Sequence, residues 1–112
     1  MRKGDIYHVL DEWDKVYFFE IIKVEKQKVV RYRMMENRII GKRSGVRNMP
    51  NYAGCDYISP CRPRIPNKEK RSRVSTVPII NSEGSLETVD TFRTIYGTAY
   101  KYKKPICIKS ST

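Results

Sequence analysis

The 112-residue chain is long enough for one domain and too short for two separate cores. Hydrophobic residues make up only 39% of it, and many of them are tyrosines, so the composition favours a barrel or a sheet with one covered face over a thick α/β sandwich. The formal net charge of +11 indicates an anionic partner, most often nucleic acid, although an acidic protein surface or an anionic membrane would also fit.

The N-terminal sequence has no feature of an export signal. Met1-Arg2-Lys3 is followed by Gly4-Asp5 without an apolar region, and no apolar run in the chain approaches the roughly 18 residues of a transmembrane helix. The three cysteines form no Cys-x-x-Cys pair and favour a reducing cytosol, so we expect a cytoplasmic protein. A disulfide between Cys55 and Cys61 is the alternative.

The first predicted strand covers Ile6 to Leu10, directly after the turn residues Gly4-Asp5. A polar connection over residues 11–15 then leads into the next strand and contains Trp13. Because tryptophan is highly buried on average, we expect Trp13 to cover one end of the core rather than to lie exposed as a contact residue.

The most regular stretch predicts a long β-hairpin, because residues 16–24 and 29–35 are both rich in β-branched and aromatic residues. We expect Glu20 to lie opposite Arg33 and Val24 opposite Val29. That register places on the core face Tyr17, Phe19, Ile21, Val30, Tyr32 and Met34. The other face is mixed and carries the Glu20–Arg33 pair.

The middle third holds most of the excess charge, since residues 37–80 contain ten bases and two acids. After a brief strand at residues 38–40, residues 41–50 lose all periodicity. Their two glycines and neighbouring bases are compatible with a phosphate cradle, but a solvated basic loop explains them equally well.

Residues 51–67 contain three prolines and Gly54, which predicts an irregular crossover rather than a strand. A strand is expected from Arg73 to Val77, ending near Pro78 and followed by an edge or bend at Ile79-Ile80.

The C-terminal part predicts a loop at residues 81–85 and then one short helix. Asp90 is a suitable N-cap for a helix over residues 91–96, and Gly97 occupies the position where a helix-ending glycine is common. Tyrosines alternate with lysines in a last strand over residues 98–103, which residues 105–108 extend.

The sequence lacks the spacing of common catalytic and zinc sites. His8 is the only histidine, and although acidic residues nearby would suit a metal-dependent nuclease, we favour a packed or edge histidine because those acids lie in turns. Cys55 and Cys61 do not have the spacing of zinc ligands. We therefore expect no enzyme activity, no cofactor and no metal.

Three segments carry a resemblance to a group of known proteins. Gly4-Asp5-x-Tyr7, the Phe19-x-Ile21-Ile22-x-Val24 and Val29-Val30-Arg31 hairpin, and Phe92-x-x-Ile95-Tyr96-Gly97-x-x-Tyr100 resemble small proteins of tailed bacteriophages and plasmids, and the first part is similar to SH3-like small barrels. Such barrels bind either nucleic acid or protein. The resemblance implies a non-enzymatic accessory protein of a mobile element, a class that often inhibits host defence nucleases, as anti-CRISPR proteins do.

Together these observations predict a single basic β domain over residues 1–112, a small antiparallel SH3-like barrel or strongly curved sheet with a long central hairpin and one short helix. We expect it to bind DNA or RNA backbone through a basic face. The alternative is an anti-CRISPR-like inhibitor that docks on a nucleic-acid-binding host protein complex or its groove. The candidate contact residues are Trp13, Lys42, Arg43, Arg47, Tyr52, Tyr57, Arg62, Arg64, Lys68, Lys70, Arg71 and Arg73.

Overall fold

The computed structural model describes residues 1–13, 15–26, 28–43, 55–63 and 68–109. Within these ranges the chain forms strands and turns and contains no helix. The strands are β1 (Ile6–Leu10), β2 (Val16–Glu25), β3 (Val29–Arg43), β4 (Cys55–Pro63), β5 (Glu69–Ile80), β6 (Leu86–Thr94), β7 (Gly97–Lys101) and β8 (Ile106–Lys109). The prediction of a mainly β protein is confirmed.

All the strand pairs are antiparallel, and six strands are hydrogen-bonded in a ring. β1 pairs with β2 and β7, β2 with β3, β3 with β5, β5 with β6, and β6 with β7. The second half of β3 continues beyond β2 and β5, where it pairs with β4, which in turn pairs with β8. We call this three-stranded part the extension.

The predicted hairpin register is confirmed in the half of the hairpin far from the turn. Glu20 lies opposite Arg33, and Arg33 Nε donates a hydrogen bond of 2.6 Å to Glu20 Oε1. Ile22 is an extra residue in β2, so beyond it the register shifts and Val24 faces Val30 instead of Val29. A bulge of this kind leaves one residue unpaired and increases the local twist.

The core occupies the inside of the ring, as the alternation of β2 and β3 predicted. Its buried members are Tyr7, Val9, Phe19, Ile21, Val30, Tyr32, Val74, Phe92 and Ala99. A second buried cluster, which the sequence did not predict, lies where the extension meets β2 and consists of Val16, Phe18, Met35 and Ile58. The outward face of β2 is therefore apolar at Phe18, because β4 and Tyr102 cover it.

The predicted helix over residues 91–96 is wrong. β6 runs to Thr94, a two-residue turn of Ile95 and Tyr96 follows, and Gly97 begins β7 opposite Thr94. Asp90 accepts a hydrogen bond from Thr76 Oγ1 at 3.0 Å rather than capping a helix. Gly97 has φ +134°, and a Cβ there would lie 3.3 Å from Val9 Cγ1, so the glycine serves a tight hairpin.

The predicted irregular crossover is wrong for residues 55–63, which form β4 between β3 and β8. Pro60 and Pro63 are accommodated by a register shift, because they lie opposite Asn37 and Met35 with one extra β4 residue between them. Likewise residues 41–43 belong to β3, and β5 covers Glu69–Ile80, so both strands are longer than predicted.

The alternative of a Cys55–Cys61 disulfide is also wrong. Both residues lie in β4, and six residues of extended chain span about 20 Å, whereas bridged cysteines have Cα atoms within about 7 Å. Cys61 is a free, exposed cysteine.

The last strand also departs from the prediction. β7 ends at Lys101, and residues 106–109 form the separate strand β8 against β4. The loop predicted at residues 81–85 is confirmed, and there the Asn81 side chain accepts hydrogen bonds of 3.0 Å from the backbone N–H groups of Glu83 and Ser85.

Candidate nucleic-acid interface

A small apolar pocket opens at one end of the ring. Phe19 of β2 and Tyr32 and Met34 of β3 line it together with Tyr96 and Ile95 of the β6–β7 turn, Thr94, Lys68 and Lys70. Its volume is about 70 Å³, well below the roughly 300 Å³ at which small-molecule pockets begin.

Tyr96 supplies the accessible aromatic ring of this pocket, because Phe19 and Tyr32 are only 3% and 4% exposed whereas Tyr96 is half-buried. Tyr96 stacks on Tyr17 with ring centroids 3.9 Å apart and planes 8° from parallel. Phe19 lies behind, with its ring centroid 6.5 Å from that of Tyr96 and 5.5 Å from that of Tyr32. Ile95 projects at the rim with 74% of its surface exposed, so the rim is apolar up to the solvent.

Lys68 and Lys70 bring positive charge to the same opening. Lys70 pairs directly with Tyr32 across β5 and β3, so both side chains point to the inner side of the ring. Lys68 directly precedes β5 and lines the same opening. Both lysines are exposed, and within the described part of the chain neither has an ion-pair partner.

The neighbouring outward side chains of β5 are held differently. Arg71 lies opposite Arg31, an unfavourable pairing of like charges. Glu25 offsets it at 2.5 Å from Arg71, and Glu69 forms an ion pair with Arg31. Arg71 is therefore partly neutralised, whereas Arg73, opposite Val29, is exposed and unpaired among the described residues.

Arg62 is another predicted contact residue that already has an acidic partner. Its Nε donates a hydrogen bond of 2.8 Å to Glu36 Oε2, and this bond raises the pKa of Arg62 above its ordinary value. The pair joins β4 to β3 and is exposed, and neither residue lines the pocket. Arg62 is therefore not among the pocket residues that include Lys68 and Lys70, and its charge is already paired.

The remaining predicted residues are dispersed or lie outside the described ranges. Lys42 and Arg43 are in the last part of β3, in the extension, and Tyr57 is a half-buried residue of β4. Arg47, Tyr52 and Arg64 are outside the described residues.

The expected burial of Trp13 is wrong, because 77% of its surface is exposed. The cause is the connection between β1 and β2, which is closed by Asp11. Its carboxylate accepts hydrogen bonds of 2.9 Å from the N–H groups of Trp13 and Lys15, and this tight turn projects Trp13 outward.

Burial changes the acidity of several aromatic and imidazole groups. It raises the pKa of Tyr7 to about 12 and that of Tyr32 above the ordinary value, so both phenols stay neutral. Burial also lowers the pKa of His8, whose Nδ1 is buried without a hydrogen-bond partner among the described residues. His8 is thus half-buried within β1 beside Tyr102, in the packed position that the sequence favoured.

Sequence reasoning missed the aromatic part of the pocket. Phe19 and Tyr32 were assigned to the core face, and Tyr96 to a helix, because nothing local in the sequence places a turn of residues 95–96 beside Lys70. The hairpin register places Phe19 and Tyr32 on the inner face, but it carries no information on Tyr96, which lies in the β6–β7 turn. The lysines themselves were among the predicted residues.

Comparisons of the chain with protein families, with curated proteins and with solved structures found no match. In the described ranges no three His, Cys, Asp or Glu side chains come together as metal ligands. In the same part of the chain no helix has the length and apolar character needed to cross a membrane.

Proposed function

We propose that the protein is a non-enzymatic binding protein that engages single-stranded nucleic acid at the pocket. The observation that carries this proposal is the position of Lys68 and Lys70, two exposed lysines without acidic partners in the described chain, beside an opening lined by Phe19, Tyr32 and Tyr96. Aromatic surfaces next to cations are the usual means by which proteins hold single strands without reading their sequence.

The two parts of the pocket have separate roles in this proposal. A base placed on the half-buried ring of Tyr96 gains about 1–3 kcal/mol by stacking, and Ile95 covers its edge. The ammonium groups of Lys68 and Lys70 attract the adjoining phosphates, and each phosphate that is neutralised releases counterions. A base in a duplex is already stacked on both sides, so the pocket favours single strands.

The architecture is compatible with the small SH3-like barrel expected from the sequence, because six strands pair in a ring around an aromatic core. We retain that fold assignment as part of the proposal. A reducing cytoplasm is also retained, and the free thiol of Cys61 is in keeping with it.

The test is fluorescence anisotropy with a labelled thymidine 12-mer, compared with a duplex of equal length over a range of salt concentrations. We expect Lys68→Gln with Lys70→Gln to weaken single-strand binding and to make the slope of log K against log salt shallower by about 1.4, since each single-strand phosphate contributes about 0.7. The matched control removes the same charge at Lys103 and Lys104, which are exposed and outside the pocket.

The stacking component has its own pair of variants. Tyr96→Ala removes this ring and should weaken binding by about 1–3 kcal/mol, roughly 5-fold to 150-fold. Tyr100→Ala removes an exposed tyrosine of β7 that does not line the pocket and should leave the affinity unchanged. The proposal fails if the Lys68/Lys70 and Lys103/Lys104 variants lose the same affinity for the single strand and the Tyr96 and Tyr100 variants do too. Diffuse charge alone would then attract the strand, without binding at the pocket.

A second candidate function is inhibition of a host defence nuclease by docking on the protein or on its nucleic-acid groove. The observation that favours it is Trp13, a 77% exposed tryptophan on a rigid turn, because tryptophan is enriched among the residues that dominate protein interfaces. Capture of a purified nuclease–guide complex after exhaustive nuclease digestion tests it. Trp13→Ala should abolish capture, Tyr100→Ala should not, and loss of capture on digestion of the nucleic acid would exclude direct docking.

A further inference from the structure

The β5–β6 hairpin projects from the ring as a two-stranded ribbon. Its residues from Thr76–Asp90 to Ile80–Leu86 pair only with each other among the described strands, because β3 pairs with β5 up to Arg73 and β7 pairs with β6 from Phe92 onward. We call residues 76–90 the arm. Because no other described strand pairs with it, the arm has open backbone edges and uncovered side chains. Isolated two-stranded ribbons are only marginally stable in water, so a partner strand would stabilise the arm.

The arm differs in charge from the rest of the protein. It contains three acids, Glu83, Glu87 and Asp90, and no base, so its formal charge is −3 in a chain of net charge +11. The paired residues Ile80 and Leu86 at its end are 74% and 73% exposed. The arm is thus an acidic edge with an apolar end.

The extension has the complementary character. Beyond Asn37, β3 pairs with β4 on one side only among the described strands, which leaves its other edge open. That stretch contains the bases Arg38, Lys42 and Arg43, and its Ile39 and Ile40 are about half exposed. This edge is basic where the arm is acidic, and both carry exposed apolar side chains.

The two edges lie at opposite ends of β3. β5 runs antiparallel to β3 from Glu69 opposite Arg33 to Arg73 opposite Val29, and the arm continues past that end. The extension continues past the other end, from Met35 to Arg43. A single molecule therefore cannot pair its own arm with its own extension, whereas two molecules placed head to tail can.

We propose that the arm of one molecule docks on the open β3 edge of a second copy, through strand addition between the β6 edge and residues 38–43. Backbone hydrogen bonds supply the affinity in such additions, and the opposite charges of the two edges select the pairing. Because each copy carries both an arm and an edge, two copies can exchange arms in a closed dimer, whereas a one-way contact leaves a free arm and a free edge for further copies.

The first experiment is sedimentation equilibrium of the full chain, freed of nucleic acid, over a range of protein and salt concentrations. We expect the average mass to rise with concentration above the 13.2 kDa of one chain, and the rise to be suppressed by high salt because exposed charges are screened. A mass that stays at one chain at all concentrations overturns the proposal.

Charge reversal gives the decisive test. The arm-reversed variant carries Glu83→Lys, Glu87→Lys and Asp90→Lys, which changes the arm from −3 to +3. On its own it should stay monomeric, since its arm then meets a basic edge.

The extension-reversed variant carries Arg38→Glu, Lys42→Glu and Arg43→Glu and should also stay monomeric. An equimolar mixture of the two variants should associate again, because each arm then finds an extension of opposite charge. This recovery shows that both variants are folded and that the contact joins arm to extension. Association of either variant alone to the extent of the native chain, or a mixture that stays monomeric, refutes the proposal.

Discussion

Replacing Phe92 and Ile95 separately by alanine distinguishes the β6–β7 hairpin from a helix. In a helix these residues, three apart, would share one buried face. In the structure Phe92 is 1% exposed and its ring centroid lies 4.7 Å from that of Tyr32 and 5.2 Å from that of Tyr7, whereas Ile95 is 74% exposed. Phe92→Ala should therefore lower the free energy of unfolding by about 3–5 kcal/mol, and Ile95→Ala by less than about 0.5 kcal/mol.

Urea unfolding followed by far-ultraviolet circular dichroism measures both values. With a slope of about 2 kcal/mol per molar urea, a loss of about 4 kcal/mol lowers the midpoint by about 2 M. Phe92→Leu, which keeps an apolar side chain, should fall between the two and provides a measurable value if Phe92→Ala does not fold. Equal destabilisation by Phe92→Ala and Ile95→Ala would contradict the hairpin.

Three further predictions concern stability. Ile21→Lys should lower the free energy of unfolding by about 3 kcal/mol or more because it buries an unpaired charge. Arg31→Gln should lower it by less than about 1 kcal/mol, since it removes only a surface ion pair. Equal shifts of the melting temperature would contradict the face assignment. Burial lowers the pKa of His8 below its ordinary 6.5, so the unfolded chain binds the proton more readily and the free energy of unfolding should decrease as the pH falls below 6.5. His8→Gln should flatten that part of the pH profile of stability. An unchanged profile would exclude His8 as its source. Gly97→Ala should lower the melting temperature, since φ is +134° and the new Cβ would crowd Val9, at a cost of about 1–3 kcal/mol; an unchanged melting temperature would show that the turn relaxes freely.

The hairpin register could be predicted from the sequence because alternation has a period of two residues. A slip by one residue would have put Arg31 and Arg33 inside, so the pattern allowed one register near Glu20 and Arg33. The bulge at Ile22 places Lys23 on the outer face and Val24 on the inner face. It could not be predicted because both residues lie near the turn, where they are exposed in the folded chain and burial does not distinguish the two faces.

The helix was predicted wrongly because Asp90 and Gly97 suit either structure. Asp90 is a good helix cap and Gly97 a common helix end, but both also fit a hairpin, where Thr94 Oγ1 donates a hydrogen bond of 2.8 Å to the Gly97 carbonyl oxygen. Long-range pairing of Val74 with Phe92 decided the outcome, and no local pattern reports it.

The candidate site was predictable only in its charge. The sequence identified the run of bases from Arg62 to Arg73 but gave no means to separate its members. Glu25 and Glu36, which pair with Arg71 and Arg62, are more than twenty residues away in the chain. Only the fold shows which basic side chains form ion pairs with acidic residues and which line the pocket.

The hydrogen bonds between β1 and β7 have a consequence for how this molecule reaches its native state. Tyr7 pairs with Lys101 and His8 with Tyr100, so the ring is joined by residues from nearly opposite ends of the described chain. Contacts this distant in sequence require a large loss of chain entropy before they form, and proteins dominated by them fold slowly. On the ribosome, the hairpin of β2 and β3 emerges long before its last partner, so its aromatic face stays exposed until β7 has been synthesised, and the closing step must follow translation of almost the whole domain.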